Sequence, residues 1–85
     1  MNFESALRSS LEATPDLRRR GKRILQVLDG RNTPRKQRVV RRMEAHVRAH
    51  LDLGRDAIDW GKIDWPSLIE GVLKLLLALL PLLLL

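Results

Sequence analysis

Apolar residues recur at helical spacing through most of the chain and become nearly continuous at its end. Phe3, Ala6, Leu7 and Leu11 fall at i, i+3 and i+4 intervals, a single stripe on a helix over about Asn2–Ala13. Glu4 and Arg8 stand four apart in the favourable order, which predicts an ion pair along that helix. Thr14-Pro15-Asp16 then reads as a helix start: a hydroxyl N-cap, proline in the first turn, and a carboxylate near the positive dipole end. The second helix, about Pro15–Asp29, aligns Leu17, Ile24 and Leu28, with Leu25 and Val27 flanking. Gly21 lies on its apolar side, where it weakens the helix but admits a close neighbour.

Asp29-Gly30-Arg31-Asn32 marks a stop, and Thr33-Pro34 repeats the start signal. The third helix is expected to run to about Leu53 and to end at Gly54. Val39, Val40, Met43, Val47 and Leu51 share one of its faces. No stretch alternates as a strand would. The pattern predicts an all-α chain: three short amphipathic basic helices, then a C-terminal hydrophobic, membrane-inserting helix. The expected boundaries are a basic helical region at 1–53, a connector at 54–66 and the hydrophobic helix at 67–85. The connector holds a five-residue near-repeat, Ile58-Asp59-Trp60-Gly61-Lys62 and Ile63-Asp64-Trp65-Pro66-Ser67, too short to define a repeat architecture.

The final segment sets the reading of function. Eleven of the residues from Ser67 to Leu85 are leucine. A helix that is apolar on every side has to be covered on every side, by lipid or by other protein. From 67 to 85 it would extend ~28 Å, near the ~30 Å hydrocarbon thickness. Its charge-free part, Leu75–Leu85, covers only ~16 Å, so insertion into a single leaflet is an alternative to a full span. At about −0.5 kcal/mol per central leucine, insertion is favoured by roughly 5 kcal/mol before Glu70 and Lys74 are counted. The residues expected in the apolar phase are Leu75, Leu76, Leu77, Leu79, Leu80, Leu82 and Leu83. Trp60, Lys62, Trp65 and Lys74 are expected at the membrane interface. Pro81 removes one helical hydrogen bond near the end, which membrane helices tolerate.

Charge is distributed as unevenly as hydropathy. Residues 1–53 carry +7 and residues 54–85 carry −1, within a chain of 85 residues and net charge +6. Between Pro15 and Arg48 there are 12 Lys or Arg against 3 Asp or Glu. Arginine predominates, and its planar fork suits phosphate oxygens. Arg18, Arg19, Lys22 and Arg23 on the second helix, with Arg35, Arg38, Arg41, Arg42 and Arg48 on the third, are the candidate polyanion contacts. The phosphates of nucleic acid or of anionic lipid headgroups would satisfy them, and a solvated basic face is the plainer account. Sequence-specific reading by a helix-turn-helix fits poorly, because the turn at Arg31–Pro34 is not that motif's and the third helix is too long.

Enzymatic chemistry has little to stand on. There is no cysteine, Ser9, Ser10 and Ser67 have no arranged base, and no phosphate-cradling glycine loop exists. His46 and His50 stand one turn apart but lack a third metal ligand, so they read as edges of the apolar stripe. Asp64 is expected to cap the last helix. No metal or cofactor is implied.

These features predict a small non-enzymatic protein attached to a membrane, its basic helices engaging nucleic acid or anionic headgroups. The expected partners are membrane lipid, a phosphate polyanion, and further copies or a larger assembly, as in a structural component of a virus or phage. A membrane-active effector of lysis, holin-like or pore-forming type is an alternative. A soluble homo-oligomer with a shared leucine core is another. The opening Met1-Asn2-Phe3-Glu4 lacks an export signal's basic start, and the basic residues precede the leucines. Both place the N-terminal region on the cytoplasmic side, or on the internal face of a membrane-containing particle.

Overall fold

The computed structural model describes residues 1–54 and 57–85. Arg55 and Asp56, inside the expected connector, lie outside the described residues. Five α-helices follow in order: α1 Phe3–Leu11, α2 Pro15–Arg20, α3 Lys22–Asp29, α4 Pro34–His50 and α5 Trp65–Leu83. A single 3-10 turn, Trp60–Lys62, precedes α5, and no strand occurs among the described residues. The all-helical class read from the sequence is the one observed, and α5 is long and apolar enough to cross a membrane.

The caps explain most boundaries. The Thr14 hydroxyl accepts from the Leu17 amide at 3.1 Å, and the Thr33 hydroxyl from the Lys36 amide at 3.1 Å. Asn2 caps α1 in the same way, accepting from Ser5 at 2.8 Å. Each cap satisfies an amide that the first helical turn leaves without a partner.

The expected second helix is two helices meeting at Gly21. A Cβ at Gly21 would stand 2.9 Å from Leu11 Cδ2 and 3.0 Å from the Leu17 carbonyl oxygen. The close neighbour that Gly21 admits is therefore α1 itself. Gly21→Ala is expected to destabilise the fold by roughly 1–3 kcal/mol, because α1 must back away from the junction. A urea unfolding curve superimposable on that of the unmodified protein would show the approach to be looser than this.

Helix α4 ends at His50, three residues before the sequence suggests. Asp52 takes the left-handed conformation at φ 55°, ahead of Gly54 at φ 67°. The Leu53 amide donates to the Arg48 carbonyl at 3.0 Å and the Asp52 amide to the Ala49 carbonyl at 3.2 Å. This pair of bonds is the Schellman closure of a helix C-terminus, with aspartate where glycine is usual. Helix α5 begins two residues early, at Trp65. Asp64 caps it without a side-chain bond to the backbone, and its Oδ2 accepts instead from the Ser67 hydroxyl at 2.7 Å.

The Glu4–Arg8 pair is replaced by longer ties. Glu4 pairs with Lys36 at 3.0 Å, while Arg8 reaches Asp29 and donates to the Leu28 carbonyl at 2.8 Å. Both ties cross between helices, joining α1 to α4 and to the end of α3.

Among the described residues, eighteen apolar residues form one core with no buried polar side chain. The stripes read from the sequence supply it: Phe3, Ala6, Leu7 and Leu11 from α1, Ile24, Leu25 and Leu28 from α3, and Val39, Met43 and Val47 from α4. Val40 and Leu51 pack at its edge. Helix α5 gives the largest share: Trp65, Ile69, Val72, Leu73, Leu76, Leu80 and Leu83. The leucine segment is thus covered on one side from within the chain. Its Cα radius of gyration is 12.0 Å, the value expected for a close-packed chain of this length at about 12 Å.

The tryptophans read as interfacial anchors stand in this core instead. Trp60 and Trp65 are 3% and 7% exposed, packed with Phe3 at centroid separations of 5.0 and 6.5 Å and with each other at 6.1 Å. Both indole N–H groups find acceptors there. Trp60 donates to Glu44 at 3.1 Å and Trp65 to the Trp60 carbonyl at 2.8 Å. The connector's aromatic residues have a ready partner in Phe3, so burial satisfies them without a membrane surface.

Candidate functional site

Helix α5 has two unlike sides, one packed in the core and one turned outward. Only 33% of its most apolar 18-residue window is buried. Of the residues expected in lipid, Leu76, Leu80 and Leu83 lie in the core, Leu75, Leu77 and Leu79 are partly covered, and Leu82 is 62% exposed. Leu85, beyond the helix, is 89% exposed. The outward side is mixed: Leu82, Leu84 and Leu85 are exposed at the C-terminal end, Leu68, Leu75, Leu77 and Leu79 are partly covered, and Glu70 and Lys74 stand exposed among them.

Neighbouring helices frame that outward side. At one end the Arg20 guanidinium forks onto Glu70, with Nη1 2.8 Å from Oε1 and Nη2 2.5 Å from Oε2. Across the helix, Arg35 Nη2 donates to the Leu84 carbonyl at 2.9 Å. His50, at the opposite end of α4, lies against the start of α5: its Nε2 is 3.1 Å from where a Gly71 Cβ would be. These contacts set α4 antiparallel to α5 and place α5 between α4 and the α2–α3 segment.

This arrangement sorts the candidate arginines into three groups. Arg35 reaches the end of α5 at Leu84, and Arg38 and Arg42 fall on the same side of α4 as Arg35, while Arg23 stands near the start of α3. Arg23, Arg38 and Arg42 are exposed and have no charged or hydrogen-bonding partner among the described residues. Arg18, Arg19 and Lys22 are turned elsewhere, lining a 530 Å³ cavity with Glu12 and Asp29. Arg41 and Arg48 lie round the far side of α4. There Arg41 borders a small cleft with Glu4 and Gln37, and Arg48 covers the Trp60 ring at 5.7 Å and donates to the Gly54 carbonyl at 3.1 Å. The nine cations read from sequence do not make one patch. Three of them, Arg35, Arg38 and Arg42, share the side of α4 that meets α5 at Leu84.

Of the remaining candidates, Lys62 lies on the 3-10 turn beside Asp59, 3.9 Å away. Lys74 is exposed on the outward side of α5, among its apolar residues. His46 and His50 are exposed rather than half-buried, and no three His, Asp or Glu groups converge among the described residues.

Asp16 is a carboxylate held by this basic neighbourhood. Hydrogen bonds from Arg20 at 3.1 Å and Arg19 at 2.8 Å hold its pKa below the ordinary aspartate range. A carboxylate depressed on folding contributes stability above its unfolded pKa of about 3.9, and that contribution is lost as pH falls through the folded value. Side-chain NMR titration is therefore expected to place Asp16 below other exposed aspartates, and Arg20→Gln to move it upward. An Asp16 midpoint unchanged by that substitution would contradict the pairing.

No protein family, no curated protein and no solved structure matches the chain.

Proposed function

We propose that this is a non-catalytic membrane-binding protein that docks on anionic lipid through the outward side of α5. Arginines beside that helix meet the headgroup phosphates. The observation that carries this reading is the exposed leucine end of α5, Leu82, Leu84 and Leu85, beside the exposed guanidinium groups of Arg38 and Arg42 on α4, the helix that packs along it. Leucines at the centre enter the acyl boundary, while long cationic side chains at the rim reach upward to phosphate. Basic groups near an anionic leaflet contribute about 1 kcal/mol each. Nucleic acid accounts for the arginines but leaves the leucines beside them in water. The lipid reading uses both.

Co-sedimentation with phosphatidylglycerol-containing vesicles, phosphatidylcholine vesicles and duplex DNA, across a salt series, tests this. Tight binding to the anionic vesicles, weaker binding to neutral ones and weaker still to DNA is expected. DNA binding as tight as vesicle binding, with no added affinity from the lipid phase, would overturn the reading. Release of trapped dye on binding would identify a membrane-disrupting effector instead of an anchor.

One observation favours self-association. Leu68, Gly71, Leu75, Ala78, Leu82 and Leu85 alternate three and four apart, the spacing of a helix-pairing seam, and of these Ala78, Leu82 and Leu85 are exposed while Leu68 and Leu75 are partly covered. Light scattering without lipid distinguishes the two. A stable dimer in which those positions are protected would assign that side to a second copy of the chain.

A further inference from the structure

We infer that the bundle is the closed state of a switch, in which α5 must leave the core before it can cross a bilayer. This rests on the membrane-binding reading above and deepens it. Seven of the eighteen core residues belong to α5. Leu73, Leu76 and Leu80 cannot touch α1, α3 and α4 while also facing acyl chains. Docking on a membrane surface keeps the bundle intact, whereas spanning the membrane dismantles it.

What α5 would exchange on leaving the bundle pulls both ways. Its buried leucines are already dry, so lipid gives them little that the core does not. Its outward leucines gain from lipid, and the remaining helices lose the centre of their core. Polar contacts at both ends add to the hold on α5. Arg20 grips Glu70 through both carboxylate oxygens, and Arg35 holds the Leu84 carbonyl. Neither contact survives extraction of the helix. The Arg20 fork is a latch.

The chain has no cysteine, so an introduced pair is unique. His50→Cys with Gly71→Cys, joined by a short bis-maleimide with a reducible centre, would lock α4 to α5. Removing the imidazole vacates the space that a Gly71 Cβ would meet. The locked full-length chain is expected to sediment with equimolar phosphatidylglycerol–phosphatidylcholine vesicles and to be stripped by alkaline carbonate. Cleaving the linker should raise the carbonate-resistant fraction at least severalfold. Arg20→Gln, which removes a positive charge, should increase that fraction without increasing vesicle affinity. A locked chain as resistant as the cleaved one overturns the switch, as does an Arg20→Gln chain with an unchanged resistant fraction. A chain that sediments with vesicles yet never resists carbonate overturns the switch alone. Failure to sediment with vesicles at all overturns the membrane-binding reading beneath it.

Discussion

Leu76→Ala is expected to lower the stability of the protein in lipid-free buffer by about 3 kcal/mol, and Leu82→Ala by less than about 0.5 kcal/mol. The two leucines are six residues apart in the same helix and have the same chemistry. Leu76 is fully buried among the other helices, whereas Leu82 is 62% exposed. Truncating the first leaves a cavity that a core drawn from several helices cannot close. Truncating the second removes surface already in water. For a domain of this size the first change corresponds to a fall in melting temperature of roughly 12–24 °C. Thermal unfolding by circular dichroism measures both. If the two variants melt together, α5 does not pack on the bundle in water, and the core described above is wrong.

The second large effect concerns where positive charge lies rather than how much there is. Arg38→Gln with Arg42→Gln removes two charges from the border of α5. Arg18→Gln with Lys22→Gln removes two from the cavity on the other side of the second-helix region. Both double variants have the same net charge. At about 1 kcal/mol per arginine near the leaflet, the first is expected to weaken anionic-vesicle binding about 30-fold. Arg18 and Lys22 instead line the cavity shared with Glu12 and Asp29, turned from that border, and in physiological salt each further ~8 Å from the leaflet weakens what a charge contributes. The second pair should therefore change affinity only a few-fold. Vesicle titrations followed by tryptophan emission would read both, and equal losses would show that net charge alone drives binding.

Much of this fold is written in local signals. The apolar stripes of α1, α3 and α4 emerge as the core because residues three and four apart must face one way on a helix. The threonine caps before Pro15 and Pro34 fix two starts to the residue. What the sequence conceals is contact between distant positions. The spacing of Glu4 and Arg8 cannot disclose that Lys36 and Asp29 are nearer partners. Gly54 is the obvious stop for α4, yet Asp52 adopts the left-handed turn first. Trp60 and Trp65 precede a run of leucines, as anchors do, and nothing local reveals that Phe3 will cover them.

The functional surface was legible in its parts and not in their arrangement. Leucines and arginines are conspicuous along the chain, and each group invites its own partner. That α5 would show only one side outward depends on three other helices covering the rest. The division of the nine cations follows from the same packing, since the antiparallel pairing of α4 with α5 is a tertiary fact. Arg20 was missed altogether as a functional group. Its pairing with Glu70 spans fifty positions, and no periodicity reports it.

The aromatic cluster has a practical consequence. Both tryptophans of the chain, which has no tyrosine, sit at the foot of α5, where Trp65 begins the helix and donates to Trp60. Intrinsic emission therefore originates almost wholly at the pivot about which that helix would swing. The molecule carries its own optical gauge there, able to follow the joint in real time without a dye.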